Sequence, residues 1–309
     1  MTPIRRSPRL RRGSALLAAL AALAPSLAFA GGMFFPARGA RPLGRAGSFV
    51  AGADDLEAAY YNPAGLAGTG HGSALLDVGL VFQSVHYDRV DSGGNAQPGV
   101  DSDNGILPIP FLGVSWRPEK LGNRFTFAFA AWAPYTGIPQ YDWTGPQRYS
   151  LVSLGGTAAL VAELAVAVRI LPELYVGAGF QNLYFSVSNK TVLASCPSQL
   201  NCAPEDPRFD APTQTKATSA FTPSGNLGIL YLHKYFRVGA SLQLPYWVRA
   251  SGTVATRIPS DPQFDGATVV GNSIDVSLNL PLIARVGFEA RPTKRVRVEL
   301  GFDYENWST

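Results

Sequence analysis

The sequence predicts an all-β chain: a transmembrane antiparallel β-barrel preceded by a segment that is not strand. Three observations carry this. Hydrophobicity alternates with period two, the alternating spans exceed the roughly 5–6 residues usual for soluble strands, and short turns alternate with long polar loops. Composition agrees. Of 309 residues, 46% are hydrophobic and 16% charged, where a soluble domain has about a quarter charged. A disordered or collagen-like chain is excluded. The 32 glycines and 11% aromatics suit a wall with many turns and interfacial girdles.

The elements follow in chain order. Residues 1–30 read as a secretory signal: Arg5, Arg6, Arg9, Arg11 and Arg12 first, then the apolar run from Ser14 to Ala24, then Ala28-Phe29-Ala30 as a cleavage site. Pro25 stops the run short of the about 20 residues a membrane anchor needs. The formal charge of +4 belongs to this leader. Without its five arginines the 26 basic residues fall to 21, against 22 acidic ones. No nucleic-acid partner is expected. No later segment is an uninterrupted apolar helix; the best candidate, Ala158–Ile170, contains Glu163 and Arg169.

Residues 31–73 do not alternate and form a separate N-terminal unit; residues 74–309 form the wall. Strands are expected near 74–88, 108–117, 124–134, 157–170, 173–192, 217–232, 235–258, 273–291 and 295–307. From Phe236 to Leu244 the even positions are apolar, and the same parity continues through Val248 and Ala250, so one long strand is read through Pro245. The same holds across Pro281. Each proline removes a ladder donor, so bulges or kinks are expected there. Cys196 and Cys202, the two cysteines, are expected to form a disulfide in an oxidising compartment. They lack the partners a zinc site would need.

The N-terminal unit contains Leu43-Gly44-Arg45-Ala46, Ala53-Asp54-Asp55 and Asn62-Pro63-Ala64. The far end contains Leu278-Asn279-Leu280-Pro281, the Arg291-Pro292 turn and Asp303-Tyr304-Glu305-Asn306-Trp307-Ser308. Together these resemble the FadL-type outer-membrane transporters of long-chain fatty acids and other hydrophobic compounds, from about Gly32 to Thr309. The resemblance implies a fourteen-stranded barrel plugged by an N-terminal hatch. It also implies ligand capture at extracellular loops, an internal pocket, and lateral exit where the third strand kinks. About nine strands are present here and an odd number does not close such a barrel, so a C-terminal truncation is expected. On the third strand Phe125, Phe127 and Phe129 face lipid. Trp132, Pro134 and Gly137 mark the candidate kink, although Pro134 would equally serve to end the strand.

No catalytic constellation is found: His71, His86 and His233 are scattered, and no enzyme activity, cofactor or metal is expected. Binding is instead a matter of the tail. At about 0.8 kcal/mol per buried methylene, roughly a dozen methylenes outweigh one exposed cation, worth about 0–1 kcal/mol. A bulge near Gln181-Asn182 is expected to turn Tyr184, Ser186, Ser188 and Lys190 inward, and parity does the same for Arg249 and Arg285. Lys190, Tyr184, Arg249 and Arg285 are therefore the candidate ligand-binding residues, although the family's basic position aligns with Thr191. Asn62, Pro63, Ala64, Asp54 and Asp55 are the hatch candidates, the two aspartates being expected to pair with wall arginines. The expected partners are a fatty acid or other hydrophobic small molecule, outer-membrane lipid and, during insertion, the barrel-assembly machinery. The expected function is passive uptake across the outer membrane. The alternative is a non-transporting structural or adhesin-like barrel, or an inactive fragment.

Overall fold

The computed structural model describes residues 38–309 except 92, 135–138, 198–199, 201, 203–204, 294 and 309. The signal segment with its cleavage site at Ala30, and Gly137, lie outside the described residues.

The wall begins with β1 (Gly72–Val81). A small hairpin, β2 (His86–Tyr87) with β3 (Val100–Asp101), sits in the loop that follows. Then come β4 (Leu107–Trp116), β5 (Phe125–Trp132), β6 (Ala158–Leu171), β7 (Leu174–Ala194) and β8 (Asp210–Leu232). Beyond them lie β9 (Phe236–Gln243), β10 (Tyr246–Thr256), β11 (Ser273–Leu280), β12 (Leu282–Ala290) and β13 (Val298–Asn306). All but the hairpin form one antiparallel sheet running β1-β4-β5-β6-β7-β8-β9-β12-β13, with β10 pairing β8 and β11. The strands β9 and β10 are thus the two halves of one span, and β11 and β12 of the next. Among the described residues β1 and β13 each have one neighbour. No described helix is long and apolar enough to cross a membrane; strands do the crossing. The 21 residues of β7 far exceed the roughly 9–11 a tilted strand needs.

Period two sets which side meets lipid. Phe125, Phe127 and Phe129 are exposed, while Thr126, Ala128 and Ala130 between them are buried. On β9, Val238 is exposed, whereas Ser241 and Gln243 are buried on the inner face, Ser241 against the N-terminal segment. Two expectations fail here. Parity does not survive the prolines. Gln243 faces inward, and so does Tyr246 three residues on, whose hydroxyl donates to inward Gln181 Oε1 at 2.5 Å. Val248 and Ala250 follow Tyr246 inward, and Trp247 and Arg249 turn outward. The same inversion separates buried Leu280 from buried Ile283 and Arg285 across Pro281. A residue pair that breaks the ladder absorbs the extra step, as a bulge does.

The second correction concerns β7. Its pairing with β6 runs unbroken from Ala158↔Ser186 to Glu163↔Gln181, so no bulge lies near Gln181-Asn182. The irregularity is on β8, where Leu183 faces Thr222 but Phe185 faces Ser219. Leu183 and Phe185 therefore point inward and Tyr184 outward, 38% exposed. The strand β8 also starts at Asp210 rather than 217. No hydrophobic alternation marks its first residues, which are held by ladders to Val187–Ala194 of β7 and to Thr253–Thr256 of β10.

The N-terminal segment, residues 38–71, lies against the inner face of the wall. It holds two one-turn helices, α1 (Ala40–Leu43) and α2 (Ala58–Tyr61), and a 3-10 turn, Pro63–Gly68. The long loops are tied together at the other end. Arg89 Nη1 donates to Glu205 Oε2 at 2.7 Å, and Arg148 Nε and the Tyr149 hydroxyl each donate to Asp210 at 2.7 Å. Cys196 and Cys202 are disulfide-bonded in the same layer.

Candidate functional site

The N-terminal segment is seated on glycines. Gly177 and Gly228 face each other across β7 and β8. A Cβ on Gly228 would lie 2.1 Å from Asn62 Oδ1, and one on Gly177 would lie 2.4 Å from the Pro63 carbonyl carbon. Gly239 and Gly287, paired across β9 and β12, receive Val50 and Ala51 in the same way. Into the first seat fits Asn62, fully buried. Its Nδ2 donates to Val50 O at 3.0 Å and to wall Ile229 O at 3.1 Å, while Oδ1 accepts from Ala64 N at 3.2 Å. Proline at 63 starts the turn whose first amide that oxygen caps. Wall side chains then take the segment's free carbonyls: Asn226 Nδ2 to Ala59 O at 2.7 Å, Ser241 Oγ to Tyr61 O at 2.6 Å, and Arg169 Nη2 to Ala67 O at 2.7 Å.

Charge fastens the edge nearest the short turns. Arg45 bonds Glu289 and Glu299, the latter at 2.6 Å, and both carboxylates are all but excluded from water. Glu299 Oε1 also accepts from the Ala51 amide at 2.8 Å. Asp54 meets Arg237 and Arg297 of the wall at 3.4 Å each, and Arg41 of its own segment at 2.7 Å. Asp55 pairs with Arg41 alone among the described residues.

Toward the loops the inner face changes character. Glu163 Oε2 accepts from Gln181 at 2.6 Å and Asn226 at 3.1 Å, and Gln181 accepts from Gln243 at 2.7 Å. This buried polar floor lies just beneath an inward belt of Trp132, Val161, Leu183, Phe185, Tyr246 and Val248, all buried. Tyr246 and Val248 are inside because of the inversion at Pro245, whereas Trp132, Val161, Leu183 and Phe185 face inward in the unbroken register of β5, β6 and β7. Nearer the loops a cavity of about 420 Å³ is lined by Pro207, Arg208, Asp210, Pro212, Arg257 and Ile258.

The four ligand candidates are not brought together. Lys190 stands beneath the loop after β5, its Nζ 6.0 Å from the Trp143 ring centre. Arg285 points inward, 2% exposed, but lies against the Tyr60 ring at 4.8 Å under the N-terminal segment. Tyr184 and Arg249 are on the outer face, for the parity reasons given above. At the candidate kink β5 ends at Trp132, and pairing to both neighbours stops there, at Phe111↔Trp132 and Trp132↔Val161. Pro134 follows. The Arg38 and Glu163 contacts carry no sequence motif of their own, whereas Arg45 lies in the Leu43-Gly44-Arg45-Ala46 motif.

Glu57 is the segment's strained carboxyl. It is 3% exposed, and its Oε2 has no hydrogen-bond partner. Desolvation, then the charges of Asp55 and Asp77, push it up to about 8. Folded protein therefore keeps a proton that unfolded chain releases above about 4.5. The stability is complete below that value, falls as pH rises toward 8, and stops falling beyond it. Replacing Glu57 with glutamine is expected to flatten the dependence of thermal unfolding between pH 5 and 8; an unchanged slope would assign it elsewhere.

Comparison with known proteins gives a consistent picture. The family model described as "Outer membrane protein transport protein (OMPP1/FadL/TodX)" matches residues 21–309. The crystal structure of a Pseudomonas aeruginosa FadL homologue is similar in fold, at TM-score 0.69 and 17% identity over 90% of this chain and 70% of that one. The P. putida toluene transporter TodX is similar at TM-score 0.58 and 14% identity, over 88% and 71%. No curated protein matches in sequence.

Proposed function

Because the chain belongs to the FadL/TodX family of outer-membrane transport proteins, we propose that it passes hydrophobic compounds, most simply long-chain fatty acids, inward without energy input. The observation that carries this is the inversion of the wall. The strands β9 and β12 wear their apolar side toward lipid, whereas β10 and β11 turn theirs inward over the polar floor. A wall facing only lipid has no reason to turn Leu183, Phe185 and Val248 to its inner side.

The proposed route has three stations. Capture uses the cavity of about 420 Å³ between the loops before β8 and after β10, where Arg208 and Arg257 meet prolines and Ile258. The belt then takes the tail. Exit is lateral beside Trp132, where β5 leaves its neighbours unpaired; Pro134, which has no N–H to donate, keeps that stretch open.

The test is growth on oleate as sole carbon source in a host lacking its own fatty-acid channel. Supplying this chain is expected to restore growth on oleate and leave growth on acetate unchanged. Failure on oleate, with the protein present in the outer membrane, would refute fatty-acid uptake. Toluene sensitivity gained in the same cells would point to neutral hydrocarbons instead.

A further inference from the structure

Arg38 holds together two strands that the backbone cannot. The last rung between β4 and β5 is Phe111↔Trp132. The next residues across the seam are Pro110, which has no N–H, and Ala133. Arg38 reaches from the N-terminal segment and donates to both carbonyls, Nη1 to Ala133 O at 3.0 Å and Nη2 to Pro110 O at 3.3 Å. It is itself pinned at both backbone ends by one side chain: its amide donates to the Tyr61 hydroxyl at 2.8 Å, and that hydroxyl donates to its carbonyl at 2.9 Å.

The guanidinium is an unusual occupant of such a place. It is 7% exposed, and its Nε has no partner. It lies over the rings of Tyr60, Phe111 and Trp132 at 5.2–5.9 Å. Among the described residues it makes no ion pair. Of the nearest carboxylates, Asp77 accepts from the Ala40 amide at 3.1 Å and Glu57 faces Gly39. Beside it opens a cavity of about 290 Å³, whose lining includes Leu43, Asp77, Ile109 and Ala133. That is the small end of ligand pockets: room for a head group and a length of tail.

We propose that this cavity takes the head group of a carboxylate-bearing amphiphile, and that the carboxylate, by capturing the Arg38 guanidinium, releases the β4–β5 seam. A guanidinium matches a carboxylate with two parallel bonds, and charge-assisted bonds are about twice as strong as those to neutral carbonyls. The guest therefore outcompetes Pro110 and Ala133, and the seam loses its one described bridge between the Phe111↔Trp132 rung and Gln140, whose carbonyl accepts from the Asp103 amide at 2.8 Å. A neutral guest has no such leverage. The inference rests on the transport reading and names the class of guest that loosens the wall.

Trp132 reports the event, since its ring touches the cation. In full-length protein keeping Trp132 as its single tryptophan, dodecanoate is expected to change the emission saturably. Its methyl ester should need at least tenfold more, and dodecylammonium should have no effect. Arg38→Gln is expected to reduce dodecanoate to the level of the ester, and Arg38→Lys to keep a weaker preference for the acid. Equal responses to acid and ester in the parent would overturn the proposal whatever the variants do. So would an acid preference that survives Arg38→Gln. These readouts do not involve uptake: an intact acid preference without oleate growth would strike the transport reading alone.

Discussion

Replacing Gly228 with leucine is expected to unseat the N-terminal segment while leaving the wall assembled. The new side chain must occupy space held by Asn62 Oδ1 and Pro63 Cδ, at 2.1 and 2.9 Å from its first carbon. Overpacking typically costs about 1–3 kcal/mol, and here it falls at the upper end. Asn62 cannot step aside without dropping its bonds to Val50 and Ile229. The expected readout is rapid proteolysis within residues 38–71 in intact outer membranes, with the rest of the chain resistant, and sensitivity of the cells to bulky antibiotics. Gly105→Ala, where a Cβ meets nothing within 4 Å, is the silent control. Protease resistance equal to the parent's would show that the seat yields, and that the contact is not what retains the segment.

Arg45→Ala is expected to be the most destabilising single charge removal. Glu289 keeps Arg291 and, at 3.9 Å, Arg237. Glu299, 2% exposed, loses its one ion-pair partner among the described residues and keeps just the Ala51 and Gly52 amides. Stranding a buried charge costs about 3–5 kcal/mol, which should appear as a clear drop in the temperature at which the folded band disappears on heated gels. Adding Glu299→Gln is expected to recover most of it, because a neutral amide needs no counter-charge. A double variant no better than Arg45→Ala would place the loss in packing against Phe49, over whose ring the guanidinium also lies.

How much of this was legible in the sequence differs by element. All nine spans were, because a wall between lipid and a polar interior must alternate, and the Phe125-Thr126-Phe127-Ala128-Phe129 pattern has no helical reading. What failed was the direction of the alternation beyond Pro245 and Pro281. The even positions stay apolar on both sides of each proline, so the pattern looks continuous. Reading it as continuous assumes that apolar always means lipid, and the inner belt breaks that assumption. The same premise misplaced the bulge and turned Tyr184 the wrong way. The seat left a readable trace that went unused: glycine recurs at inward positions of facing strands, Gly177 with Gly228 and Gly239 with Gly287. Arg38 left none, for its partners are two carbonyls that only the fold brings together.

The inversion at the prolines has a consequence for how deep the protein floats. On the flank formed by β8 to β11, the outside is greasy from the short turns up to Pro245 and Pro281. Past them it presents Lys216, Thr218, Arg249, Ser251 and Thr253. Hydrocarbon cannot climb over such a surface, so the waterline runs near Trp247, whose indole is 57% exposed. The rest of those strands stands above it as a parapet, with Arg249 on its outer side.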